Sequence, residues 1–258
     1  MIRFFLFHLR AVVTAFVAAG LFESVVRFSD VWYSLGSVIL FGVVVAVVCN
    51  RYVNIRMALW DMALILLAYI ATIFLIILTE WRIVIVLLEV LGACTVGALV
   101  DILLSNTDTT PVYVKKAFRR IRVMSWVFIC AAFFITAYAM SFFFAQIPLG
   151  VLFVFVGLLS AFCSYAIWRM YYQVPSARFT IWLIIMSVMS MELFWVIHLL
   201  PFGYVVLGFL LTWLWYLLLL LMRFHISSEG IRWKQQVRFL LMNAVVFIAL
   251  LLFVIRWI

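Results

Sequence analysis

Nonpolar residues in this chain come in runs of ~20, the number needed to cross a ~30 Å hydrocarbon layer, separated by short segments that hold most of the charge. Eight runs stand out, over residues 31–49, 57–79, 83–104, 123–145, 149–168, 180–200, 204–222 and 239–255. None alternates with the period of two that a transmembrane barrel strand requires. A further run at 4–22 is interrupted by His8 and Arg10; it reads as an uncleaved first span rather than a signal peptide. The pattern predicts an all-α polytopic bundle of nine spans, or eight if the first helix lies flat at the interface. Residues 1–258 then form one integral membrane domain. Four spans lie within 1–104, a basic loop occupies 105–122, and five spans fill 123–258.

Composition removes the soluble alternative. Hydrophobic residues make up 71% of the chain, charged residues 10%, and mean hydropathy is +1.34. A soluble domain carries about a quarter charged residues. The longest polar stretches, 105–122 and 223–238, are too short to hold a core of their own. Function therefore belongs within the membrane, at its faces, or with a partner.

The net charge of +9 sets orientation rather than a nucleic-acid partner. If the amino terminus is inside, the inner segments hold Arg3, Arg10, Arg51, Arg56, Lys115, Lys116, Arg119, Arg120, Arg122, Arg169, Arg178, Arg223, Arg232, Lys234 and Arg238. Only Arg27, Arg82 and Arg256 fall outside. That asymmetry follows the positive-inside rule and places the carboxyl terminus outside. No aromatic-basic face is present that would suit a nucleic acid.

Within the 105–122 loop, the second half is basic and partly amphipathic, with Val112, Val114, Phe118 and Ile121 near one side. Lys115, Lys116, Arg119, Arg120 and Arg122 form a membrane-surface patch suited to an anionic inner leaflet. A solvated loop whose charges only fix topology is the alternative. The outer turns Pro148-Leu149-Gly150 and Pro201-Phe202-Gly203 share a pattern, which good turn chemistry alone accounts for. Gly92, Gly97 and Ala98 permit close helix approach. Cys49, Cys94, Cys130 and Cys163 lack metal-ligand spacing and read as packing residues, with no metal or cofactor implied.

Acids inside the apolar runs are the candidates for chemistry. Glu192 lies twelve residues into its run, about 18 Å from the inner end at ~1.5 Å per residue. An ionised carboxylate there is costly unless paired or hydrated, so such residues mark ion, proton or substrate contacts. The competing role is a hydrogen-bonded strut between helices. Glu89 is the second candidate, at comparable depth. Asp61 near Arg56, and Asp101 near the basic loop, read as interfacial ion pairs, and Glu23 with Arg27 as an i,i+4 pair. His198 falls on a different face from Glu192 and has no ligand-type residue at i+3 or i+4, so it reads as an interfacial hydrogen-bonding group. Trp195 lies deep enough to line a cavity. Most other Trp and Tyr residues cluster at run ends as an aromatic belt. No catalytic motif is found.

The carboxyl-terminal third contains Glu192-Leu193-Phe194-Trp195, then Leu199-Leu200-Pro201-Phe202-Gly203-Tyr204, then Arg223-Phe224-His225. Over residues 180–258 it resembles an uncharacterised family of bacterial multi-pass membrane proteins. The resemblance implies a bacterial inner-membrane setting and brings no functional residues. The expectation is a membrane protein that binds or moves a small solute, ion or lipid through Glu192 and Glu89, with His198 and Trp195 nearby. The alternatives are a structural or assembly subunit of a membrane complex, with a second copy or another membrane protein as partner, and an intramembrane enzyme acting on lipid.

Overall fold

The computed structural model describes residues 2–28, 30–50, 55–105, 112–144, 146–172, 177–226, 237, 241–245 and 248. Every element among them is an α-helix. In chain order these are α1 (Ile2–Arg27), α2 (Val31–Asn50), α3 (Ile55–Ile77), α4 (Arg82–Ser105), α5 (Val112–Phe143), α6 (Leu149–Tyr171), α7 (Ala177–His198) and α8 (Tyr204–Ile226). All eight are long and apolar enough to cross a membrane. Most of the expected ninth run lies outside the described residues, although 241–245 are helical.

Turn chemistry separates the helices. Pro148 precedes α6 with φ −61° and ψ 131°, and its carbonyl accepts from Val151 N–H at 2.9 Å. Proline suits that place because its φ is already fixed and the N–H it lacks would have no helical acceptor. Gly203 precedes α8, and its carbonyl accepts from Leu207 N–H at 3.1 Å.

The chain packs as two units, Met1–Thr136 and Ala137–Ile258. In the first, α1 runs antiparallel to α4 along its length: His8 meets Asp101, Ala15 meets Gly97, and Phe22 meets Gly92. The glycines make this possible. A Cβ on Gly92 would lie 2.5 Å from Thr72 Cγ2 and 3.1 Å from Phe22 Cε2, and one on Gly97 would lie 2.9 Å from Ala15 Cβ. Ala98, by contrast, is exposed. Above this seam the Tyr69 ring of α3 stacks between Phe22 of α1 and Phe41 of α2, with centroids 4.7 and 4.1 Å away. The first helix thus packs along α4 within the first unit.

In the second unit α6 packs along α7. Gly157 lies against Met191 and Ser187, and the Ser160 and Ser190 hydroxyls are 2.6 Å apart. Ser190 also donates to its own helix at Met186 O, 2.7 Å away, so the hydroxyl pair links the helices without an orphaned donor. Cys130 and Cys163 are buried as packing residues, but Cys94 is exposed. That exposure corrects the expectation for Cys94, because it follows the outward side of α4 while Gly92 and Gly97 take the inward one. The Cys49 side chain lies outside the described residues.

The basic segment differs from expectation in form. Residues 112–122 begin α5, which continues unbroken for 32 residues. No glycine or proline falls between Val112 and Phe143 to stop it. At 1.5 Å per residue the helix is about 48 Å long, against ~30 Å of hydrocarbon. The basic turns are thus collinear with the apolar ones, not a separate surface helix joined to them by a bend. Lys115, Lys116 and Arg120 are exposed, while Arg119 and Arg122 are half-buried.

The glycine seam gives a test. Gly92→Ala should destabilise detergent-solubilised protein by about 1–3 kcal/mol in thermal unfolding, as overpacking does. Gly36→Ala meets open space, so it should be neutral or stabilising by up to ~1 kcal/mol. Equal effects at both positions would mean that the α1–α4–α3 contact is not tight.

Candidate functional site

Helix antiparallelism in the first unit brings polar residues together at both ends of the α1–α4 pair. At one end His8 Nδ1 and Asp101 Oδ1 are 2.8 Å apart. On the same unit, Arg122 of α5 donates to Asp61 of α3 at 2.8 Å, with both side chains mostly buried. The expected ion-pair role thus holds for Asp61, while Asp101 makes a hydrogen-bonded contact. Asp61 reaches across to Arg122, and Asp101 reaches across to His8 rather than to the basic loop. The Arg56 side chain lies outside the described residues. Neighbouring helices place a nitrogen-bearing side chain opposite each of the two acids.

The other end carries an open, charged cavity of about 440 Å³ lined by Glu23, Val26, Arg27, Glu80, Arg82, Ile85, Val86 and Glu89. Two of its charges neutralise each other: Arg27 Nε donates to Glu23 at 2.7 Å, the expected i,i+4 pair. This leaves Glu80, Arg82 and Glu89. Glu89 lies on the second turn of α4, and its Oε1 is buried with no hydrogen-bond partner among the described residues. A smaller cavity of about 260 Å³ adjoins it, sharing Val26 and Ile85 and adding Asp30, Ser34 and Thr79. The fold therefore gathers side chains from the α1–α2 and α3–α4 turns around Glu89. The sequence pattern singled out Glu89, counted Arg82 only as an outer basic residue and gave Glu80 no role. Their place at the α3–α4 turn and the first residue of α4 was the available signal.

Glu192 has different surroundings. It belongs to the second unit and is exposed on α7, as is Trp195 at 56%. Neither lines a cavity reported around Glu89. His198 is half-buried and serves as an aromatic surface. Its ring lies 5.8 Å from Phe142, 6.2 Å from Tyr138 and 6.4 Å from Phe194. Its Nδ1 is buried and makes no hydrogen bond among the described residues. The residues that organise this cluster, Tyr138 and Phe194, stack at 4.4 Å, and the Tyr138 hydroxyl donates to Phe194 O at 2.9 Å. Nothing in an apolar run distinguished that tyrosine from packing aromatics.

Among the described residues no group of three or more His, Cys, Asp and Glu side chains is placed to hold a metal ion. Chemically, the Glu89 cavity can accept hydrogen bonds from a cationic or hydroxyl-bearing group, while Arg82 offers a donor to an anion. The chain matches no family model, no curated protein and no solved structure.

Asp61 and Arg122 can be tested as a pair. Asp61→Ala and Arg122→Ala should each destabilise by about 1–3 kcal/mol, with the double variant costing less than their sum. Breaking the exposed Glu23–Arg27 pair should cost under ~0.5 kcal/mol. Additive losses at Asp61 and Arg122 would show that the contact is not an energetic link.

Proposed function

We propose that the chain is a multi-pass integral membrane protein that binds a small polar solute or lipid headgroup in the cavity beside Glu89. The single observation carrying this reading is the buried, unbonded Glu89 oxygen at the wall of an open cavity that also holds Glu80 and Arg82. A buried acceptor with no partner is costly, and a ligand donor relieves it. Opposite charges in one cavity favour a solute with a cationic and an anionic group. The bias of basic residues supports an orientation with this end of the first unit outside and His8, Asp101 and Arg122 near the cytoplasm. The bacterial inner membrane is the setting that the resemblance of residues 180–258 supplies.

A structural or assembly subunit is the second reading. It is favoured by Asp61, Asp101 and Glu23, each of which closes an internal pair. Enzyme chemistry has no comparable support.

Titration of the purified protein with ethanolamine phosphate, a small solute bearing both charges, separates the two. Binding to the native state should raise the unfolding temperature saturably, since stabilisation follows RT ln(1 + [L]/Kd). Glu89→Gln and Arg82→Ala should remove most of that shift. A response that is absent, or the same in all three proteins, would favour the structural role. Orientation is read separately: a reporter fused after residue 110 should report cytoplasm, and one inserted at Gly203 the outside.

A further inference from the structure

One face of α7 presents an unusual combination. Ile181, Ile184, Val188, Glu192, Trp195, Val196 and Leu199 recur at spacings of three and four and are all exposed, making one stripe along the helix. The stripe is apolar apart from a single carboxyl. Within the span Thr180–His198, Glu192 lies twelve residues from one end and six from the other, about 18 Å and 9 Å by helical rise. It makes no hydrogen bond or ion pair among the described residues. Its own helix offers nothing: the residues at i±3 and i±4 are Val188, Met189, Trp195 and Val196. Ser187 and Ser190, the nearby hydroxyls, are turned toward α6.

Lipid tails provide no hydrogen-bond partner, so a carboxyl on this face needs one from another polypeptide. The occupant must bring a polar group to the same depth. Basic side chains of this chain cluster toward helix ends, so a second copy brings no cation to the level of Glu192. What it does bring is its own Glu192. Copies inserted in the same orientation hold that residue at the same depth. A two-fold axis along the membrane normal then sets carboxyl against carboxyl. Two carboxylic acids so placed are self-complementary, each O–H donating to the other's carbonyl oxygen, which satisfies both groups without any ion. Val188 and Trp195, one turn to either side, supply the apolar packing that keeps the pair dry. We infer that the α7 face is a homodimer interface, with the two Glu192 side chains hydrogen-bonded across its axis.

Purified full-length protein, with its four native cysteines replaced, is reconstituted at high dilution in lipid vesicles and oxidised. V188C should give a covalent dimer, while L158C, on an exposed part of α6, should not. The dimer fraction is also read by single-molecule photobleaching in the protein retaining Val188. Glu192→Gln keeps a donor and an acceptor and should preserve the dimer. Glu192→Leu should shift the dimerisation constant roughly tenfold toward monomer, the scale of one lost interhelical polar contact. Thermal unfolding confirms that each variant is folded, and V188C reports the interface with Glu192 intact if the Leu variant fails to fold. The inference is overturned by a monomeric parent protein, by unaltered dimerisation of a folded Glu192→Leu variant, or by crosslinking through L158C but not V188C. A parent protein that associates only after a different membrane protein is added also overturns it.

Discussion

Close approach of α1 to α4 is the contact on which the rest of the first unit depends. Two glycines remove the side chains that would hold the helices apart, and Phe22, Thr72 and Ala15 occupy the space released. Without a hydrophobic driving force between helices in lipid, dispersion at short range and polar contacts must hold them together. The same register has consequences at both ends. It sets His8 on Asp101 at one, and Glu23 and Arg27 beside Glu89 at the other. A shift of one helical turn, ~5.4 Å, would dissolve the His8–Asp101 contact and redraw the cavity together.

Polar groups within the spans mostly obey one rule: they are satisfied locally. The hydroxyls of Thr14, Thr72, Thr136 and Thr212 each donate to the carbonyl four residues back, at 2.7–2.9 Å. Ser160 and Ser190 share one contact across two helices. Asp61 and Asp101 each find a nitrogen on another helix. Among the described carboxyl groups within the spans, Glu89 and Glu192 are the exceptions, and the physical cost of an unsatisfied carboxyl in a low-dielectric medium makes exceptions informative.

Architecture was readable from the sequence because lipid imposes it. Runs long enough to span hydrocarbon must be helical, with backbone groups bonded within the run. Helix identity, the Pro148 and Gly203 turns, the Glu23–Arg27 pair and the close packing at Gly92 and Gly97 all follow from local pattern. Partner choice did not. The contact of Asp61 with Arg122, sixty-one residues on, is set by three-dimensional register, which hydropathy does not encode. The outward direction of Cys94 was hidden for a related reason. In lipid both faces of a helix are apolar, so the one-sided stripe that reveals a buried face in a soluble protein is weak. The basic segment of 105–122 was read as a loop because charge was given more weight than helix continuity, although residues 112–143 contain no breaker.

The two exceptional acids call for different explanations because their surroundings differ, although sequence treated them alike. Glu89 lies near a helix end, beside arginines and an open cavity, where water and solutes can reach it. Its unsatisfied oxygen is therefore a feature that a small ligand can answer. Glu192 sits within an apolar stripe, ~9 Å from the nearer end of its span, with no charged residue at i±3 or i±4 on its helix. A small polar ligand would have to leave water for lipid to reach it, at the full cost of desolvation. A second protein surface carries its polar group to that depth already inserted, so the cost is met during folding and not during binding. Depth and neighbours, not residue type, thus separate a ligand site from an assembly contact.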